Sequence, residues 1–312
     1  AGVLNVKVSI KNDTDTTYWN SSTWGTTEIW INASGTTSWT FTSPAWISPK
    51  NYLVKSKALD NANNEETPGV GNSFTYDTTA PSSAITYPGD GVTINSLLKL
   101  SGTANDPTPG SGIGQVKLSI KNNNNTTFWN GSTWSSNEVY NDASGTTIWT
   151  YDNPGWISGN TYILTPKSYD NASNVETPAS RVPASWSFTF DNIGPTSNAI
   201  FPTNGSALSS VSAITGTASD LTSDVSMVEV NIKNTTTTRY WTGSTWVVVE
   251  NNWPDATGTS NWSTWWYNMS SWDEGNSYLV KSRATDVVNN IETSGISISF
   301  IYDTIKPTTV IT

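Results

Sequence analysis

The stretch QVKLSIKN, residues 115 to 122, decides the fold. Val116, Leu118 and Ile120 fall on one side of an extended chain, and Lys117, Ser119 and Lys121 on the other. A period of two with one apolar face is the signature of a half-buried β-strand. The phrase recurs as VKVSIKN from residue 6 and VEVNIKN from residue 228, so its copies at 6, 116 and 228 lie 110 and 112 residues apart. The neighbouring phrases recur as well, in fixed order: YWNSSTW (18 to 24), FWNGSTW (128 to 134) and YWTGSTW (240 to 246), then ASGTTSWT, ASGTTIWT and ATGTSNWS. Each copy closes on FTYDTTAP, FTFDNIGP or FIYDTIKP. A fixed period of this length is a tandem repeat of structural modules.

Strands of this kind, punctuated by Asn, Gly, Asp and Pro, predict an all-β fold of tandem β-sandwiches. The joins share an Asp-x-x-x-Pro motif: Asp77/Pro81, Asp191/Pro195 and Asp303/Pro307. Proline fixes φ and holds its predecessor extended, so the joins read as short and stiff and the modules as a rod. The expected division is 1–78, 79–192 and 193–304, with 305–312 a strand opening a further module or donated elsewhere. Residues 1–78 carry no counterpart of the two strands that precede VKLSIKN in the second repeat. Two explanations stay open. The sequence is a window on a longer array, or Thr308, Thr309, Val310, Ile311 and Thr312 complete the first module of another copy, end to end.

Composition narrows function. The 312 residues contain no Cys and no His, which removes disulfides, thiol nucleophiles, and the usual base and transition-metal ligand. Only 13% of the chain is charged and the net charge is -10, so a basic footprint for nucleic acid is absent. No apolar run is long enough to span a membrane. Glu65 and Glu66 are adjacent and point to opposite faces of a strand, and no Ser or Thr has an evident base partner, so the chain reads as a non-enzyme. Sequons such as Asn20, Asn130, Asn171 and Asn268 are no more frequent than the Asn, Ser and Thr content makes inevitable.

LSGTANDPTPGSGIGQVKLSI (100 to 120), SYDNASNVETP (168 to 178) and FTFDNIGP (188 to 195) resemble the tandem bacterial Ig-like domains, of the Big type, found in large surface proteins. ITGTASD (214 to 220) and RATDVVNN (283 to 290) fit the same pattern. The resemblance implies Ig-like sandwiches in tandem, an extracellular or cell-surface location, and calcium between modules.

The residues themselves offer two candidate sites. Asp60, Asp77 and Asp106 group by sequence around the first join, Asp170, Asp191 and Asp220 around the second, and Asp286 and Asp303 around the third. Converging aspartates with backbone carbonyls suit Ca²⁺, which takes 6 to 8 oxygen ligands; the plainer reading is that each Asp caps a turn. The tryptophans form the second candidate. Trp39, Trp149 and Trp262 read as one register, and the paired tryptophans of the hairpins read first as packing. Trp253, Trp265 and Trp266 break the register and are the candidates for an exposed, partner-binding or glycan-binding surface. The implied function is that of an extracellular structural repeat protein forming a filament, stalk or surface layer, its partners copies of itself. The alternative is an adhesin or carbohydrate-binding array.

Overall fold

The computed structural model describes residues 2–177, 186–250, 252–293 and 295–310. The protein is all-β, built of tandem Ig-like β-sandwich modules, and no helix occurs among the described residues. By contacts it divides into two compact units. One comprises residues 1–89, 98–154 and 163–186; the other comprises 90–97, 155–162 and 187–312.

The third repeat, inside the second unit, shows the complete sandwich. Its larger sheet has six strands in the order Ser206–Leu208, Ile298–Tyr302, Ser277–Asp286, Val225–Asn234, Arg239–Trp241 and Trp246–Val247. Its smaller sheet orders Thr196–Phe201, Ala213–Ser219, Trp265–Asn268 and Thr257–Gly258. The predicted alternation is realised: Val228, Val230 and Ile232 are buried, and they pack in one core with Ile214, Tyr278 and Phe300. Thr196–Phe201 pairs antiparallel in the smaller sheet, whereas Ser206–Leu208 runs parallel to Ile298–Tyr302 in the larger one. Pro202 stands between these two segments, where a residue with no N–H suits a chain leaving one ladder for another.

In the first unit the middle repeat shows the same smaller sheet, in the order Ser144–Gly145, Ile148–Asp152, Lys99–Asn105 and Ser82–Tyr87. A glycine is required at its centre. A Cβ on Gly102 would lie 2.1 Å from the Trp149 ring, and one on Gly216 in the third repeat 2.2 Å from the Trp265 ring. Each indole therefore packs directly against a glycine, and its Nε1–H donates to a carbonyl on the same strand, Thr103 or Thr217.

The first repeat has one full sheet, Trp24–Gly25, Thr17–Trp19, Val3–Asn12, Lys50–Asp60 and Asn72–Tyr76, with Ile31–Asn32 also pairing to Val3–Asn12. Opposite it, among the described residues, stand only the two-residue strands Ser34–Gly35 and Trp39–Thr40. Trp39 is consequently 39% exposed, against 0% for Trp149 and 1% for Trp265. Phe74 is 38% exposed, against 1% for both Phe188 and Phe300.

An aromatic cluster of one pattern recurs in all three repeats: Trp46, Tyr52 and Phe74; Trp156, Tyr162 and Phe188; Trp272, Tyr278 and Phe300. In each, the Trp ring stands edge-on to the other two, with centroids 4.7 to 5.1 Å apart. The tyrosine hydroxyl is anchored five residues back, accepting the N–H of Ile47, Ile157 or Asp273. Aromatic side chains bury about 150–250 Å² each, worth several kcal/mol at about 25 cal/mol per Å². A chain without disulfides is held together by such clusters.

Candidate functional site

Six of the eight aspartates converge into two triads. Asp77, Asp106 and Asp170 bring carboxylate oxygens within 4.8 Å of one another in the first unit, and Asp191, Asp220 and Asp286 do the same in the second. The sequence grouping is corrected here: Asp170 joins Asp77 and Asp106, and Asp286 joins Asp191 and Asp220. Each triad takes one Asp from a join, one from the end of the Gly-containing strand, and one from the end of the long strand Asn160–Asp170 or Ser277–Asp286. Those ends meet because the last two strands finish at the side of the sandwich where the join enters.

The loops are built to hold the carboxylates. Asp77 Oδ1 accepts the Thr79 N–H at 2.9 Å, Oδ2 accepts the Ser111 N–H at 2.8 Å, and its carbonyl accepts Asn174 Nδ2 at 3.0 Å. Asp170 accepts the Asn174 backbone and side-chain N–H groups, both at 2.7 Å. Asn174 thus ties the join to the end of the long strand. Asn290 does the same for Asp191 and Asp286, at 2.8 Å to each. Asp220 Oδ1 accepts the N–H groups of Thr222 and Ser223, and Asp191 Oδ2 accepts the Ser223 hydroxyl, each at 2.7 Å. Gly110 is obligatory beside Asp106, because a Cβ there would lie 2.5 Å from Asp106 Oδ2 and from the Pro107 carbonyl.

Turn capping explains most of these bonds and not their convergence. Asp77, Asp170, Asp191 and Asp286 are all buried. Asp106 Oδ2 accepts the Gly112 N–H at 2.7 Å, but Oδ1 is buried with no partner. Burial, then the negative charges of Asp77 and Asp170, push the Asp106 carboxyl above its ordinary pKa. Burial acts the same way on Asp77, but the Thr79 and Ser111 donors outweigh it and hold Asp77 below the ordinary value. A hard divalent cation meets both conditions, unpaired oxygen and concentrated negative charge. The donor set is all oxygen and fits Ca²⁺, with the remaining ligands left to carbonyls or water.

Asp60 and Asp303 stand outside the triads. Asp60 repeats the local loop, accepting Ala62 and Asn64 N–H groups at 2.8 and 2.9 Å, and the Asn64 side chain and backbone lower its pKa. No carboxylate of a join or of a Gly-containing strand meets it among the described residues. Asp303 accepts its own loop's Ile305 N–H at 2.9 Å and is exposed.

The tryptophan register is also corrected. Gly35, Gly145 and Gly258 pair with Trp39, Trp149 and Trp265, so Trp265, not Trp262, is the third member. The third repeat lengthens this turn by three residues, Trp262 takes φ +54° within it, and sequence spacing therefore misaligns the two. Trp265 is core and offers no surface. Trp253 is in register too: the Arg283 guanidinium lies 4.6 Å from its ring centroid, as Lys57 lies 4.7 Å from Trp30 and Lys167 5.3 Å from Tyr140. Trp266 remains 36% exposed. The hairpin pairs Trp19/Trp24, Trp129/Trp134 and Trp241/Trp246 are cross-strand partners with centroids 5.4 to 5.6 Å apart.

A second recurring element is a carboxylate clasp that sequence reasoning missed. Glu176 accepts the N–H of Ser83 at 3.0 Å and that of Ser168 at 2.8 Å, together with both hydroxyls. Glu292 accepts the N–H and hydroxyl of Ser197 and the N–H of Ala284. The recurring Glu-Thr six residues past Asp60, Asp170 and Asp286, with a Ser two residues past Pro81 and Pro195, was the available signal. Thr308, Thr309 and Val310 are exposed and in no strand; Ile311 and Thr312 lie outside the described residues.

No family profile matches the chain, and no curated protein is detectably similar. Among solved structures, the fibronectin(III)-like modules of Clostridium thermocellum CbhA align at 15% identity over 71% of this chain and 94% of that one, with a TM-score of 0.32. The FN1–FN3 domains of chicken CNTN1 align at 12% identity over 97% and 90%, with a TM-score of 0.28. Similarity of that degree is slight, and the sandwich assignment rests on the sheets themselves.

Proposed function

We propose that the chain is an extracellular structural repeat protein of the bacterial Ig-like type, a non-enzymatic component of a filament, stalk or surface layer. The observation that carries this reading is the doubly built aspartate triad. At both joins the chain commits buried carboxylates to tying one repeat's exit to the next repeat's loops. Stiffening of that kind suits a load-bearing array, and Ca²⁺ is the ion its donors suit. Bound there, its two positive charges would offset most of the mutual repulsion of three carboxylates.

Head-to-tail strand complementation between copies is one way such an array would assemble. The test is electron microscopy and thermal unfolding of the purified chain, with added Ca²⁺ and with chelator. Filaments together with a calcium-dependent rise in Tm are expected. Aggregates or short particles with no calcium response would sink the reading.

One observation favours a second reading, a glycan-binding array. Grooves of about 330 and 320 Å³ occur at matching places in the second and first repeats, lined by Trp129, Asp142 and Tyr151 and by Trp19, Asn32 and Phe41. Aromatic residues beside polar side chains suit a pyranose. Titration of neutral oligosaccharides against tryptophan fluorescence tests it, and a flat response across the panel removes it.

A further inference from the structure

The repeats act as controls for one another at the groove beside the tryptophan hairpin. In the second repeat the groove is lined by Trp129, Asp142, Tyr151 and Asp152, and the first repeat has Trp19, Asn32, Phe41 and Thr42 at the same positions. Two polar groups are therefore peculiar to the second groove. Trp129 Nε1–H donates to Tyr151 Oη at 3.1 Å, so the phenol accepts there and its own O–H is left to donate. Burial raises the Tyr151 pKa above its ordinary value, which keeps that proton in place at neutral pH. Asp142 Oδ1 takes Gln115 Nε2 at 2.9 Å and Lys117 Nζ at 3.0 Å, which holds the carboxylate in place and leaves Oδ2 to accept. Phe41 has no hydroxyl and Asn32 no carboxylate, so the first groove offers neither group.

The third repeat keeps both groups, as Tyr267 and Asp255, but closes over them. Trp241 Nε1–H donates to Tyr267 Oη at 2.9 Å, and Trp241 is buried where Trp129 and Trp19 are half-buried. A Cβ on Gly243, in the hairpin turn, would lie 3.8 Å from the Tyr267 hydroxyl and 3.7 Å from the Pro254 ring. A Cβ on Gly131, its counterpart, would have Asn141 Oδ1 at 3.2 Å and no atom of Tyr151 within 4 Å. The turn thus stands closer to the phenol in the third repeat than in the second.

We infer that the second repeat holds a single site for one residue of an uncharged glycan, and that the first and third repeats do not share it. The inference rests on the glycan-binding reading above and narrows it from an array of sites to one. Tyr151 Oη–H donates to one sugar hydroxyl, Asp142 Oδ2 accepts from another, and the Trp129 ring supplies apolar contact. The charges around the groove select a neutral ligand. Asp142 is paired with Lys117, and Asp152 with Lys99 at 2.6 Å, so neither an acidic nor a basic sugar finds an unpaired counter-charge. At about 330 Å³ the groove is at the small end of ligand pockets and takes a sugar residue, not the length of a polysaccharide.

The experiment is isothermal titration calorimetry of the full chain with cellotriose, maltotriose, mannotriose and N,N′-diacetylchitobiose, beside Tyr151→Phe, Asp142→Asn and Trp19→Phe. At least one sugar should bind the wild type, with one site per chain. Tyr151→Phe should weaken that binding about fivefold, as expected for one neutral hydrogen bond, and Asp142→Asn about tenfold, as expected for a charge-assisted one. Trp19→Phe should leave both affinity and stoichiometry unchanged. Asp142 is exposed, so its variant keeps the test open should Tyr151→Phe disturb the Trp129 ring. Two or three sites per chain, binding untouched by both second-repeat variants, or binding lost with Trp19→Phe would overturn this assignment and leave the glycan reading standing. No heat with any of the four sugars would remove the glycan reading and this site together.

Discussion

The first and third repeats carry the same long strands, the same tryptophan hairpin and the same aromatic cluster, yet they do not cover them equally. Trp265 and Phe300 are sealed in a two-sheet core, whereas their counterparts Trp39 and Phe74 are over a third exposed. The difference lies in the strands that Thr196–Phe201, Ser206–Leu208 and Ala213–Ser219 add to the third repeat. The second sheet turns the larger sheet's apolar face into a core. A residue of one type at one repeat position therefore carries a different energy in each repeat.

The largest expected effect breaks this comparison directly. Trp265→Ala should destabilise the third repeat by about 3–5 kcal/mol, through lost burial and the cavity left beneath Gly216. Trp39→Ala should cost roughly 1–2 kcal/mol, because much of that ring already meets water. Chemical denaturation monitored by tryptophan fluorescence and by hydrogen exchange within each repeat would measure both. Equal losses at the two sites would mean that Trp39 is covered in solution.

This contrast also marks what the sequence displayed. The period of two in QVKLSIKN and the order of the repeated phrases made the all-β sandwich legible, because alternation is a local property. The Trp39, Trp149 and Trp265 register was not legible, because three extra residues in a turn leave spacing unchanged on either side and shift it only within. The aspartates were visible as recurrent residues, but their partners were not. Asp170 lies 64 residues from Asp106 along the chain (170 − 106 = 64), and only the return of the long strand to the join brings the two together. The glutamate clasp escaped notice for the same reason, since Ser83 and Glu176 are 93 residues apart.

A middle-sized effect sharpens the comparison at that clasp. Glu176 is buried and serves four donors, so Glu176→Ala should cost roughly 2–4 kcal/mol as buried N–H and O–H groups lose their acceptor. Glu66 serves one donor at the surface, and Glu66→Ala should cost less than about 1 kcal/mol in dilute solution. Thermal melts at low and high protein concentration test both variants. The gap should narrow at high concentration if a second copy engages Glu66, and should stay fixed if none does.

The smallest effect concerns the carboxylates, where Asp60 of the first repeat stands alone and Asp106 stands in a triad. Asp60 is stabilised as an anion by its own loop, so Asp60→Asn should remove a little stability above the ordinary carboxylate range. Asp106 has the opposite sign. Its folded pKa is raised, so the native state holds its proton more tightly than the unfolded chain does. Its contribution to stability is therefore fully present at acid pH and falls away as pH rises from the unfolded pKa through the raised folded one. In the presence of chelator, Asp106→Asn should thus raise Tm slightly at neutral pH, an effect below about 1 kcal/mol at a partly exposed site. With Ca²⁺ added, the ranking should reverse: wild type gains stability from the bound ion and the variant, lacking a ligand oxygen, gains less. Melting curves of both proteins between roughly pH 3 and 7, with chelator and with Ca²⁺, separate the possibilities. A variant that is less stable than wild type under both conditions would make Asp106 a turn cap like Asp60, and the triad a meeting of three loops with no ion between them.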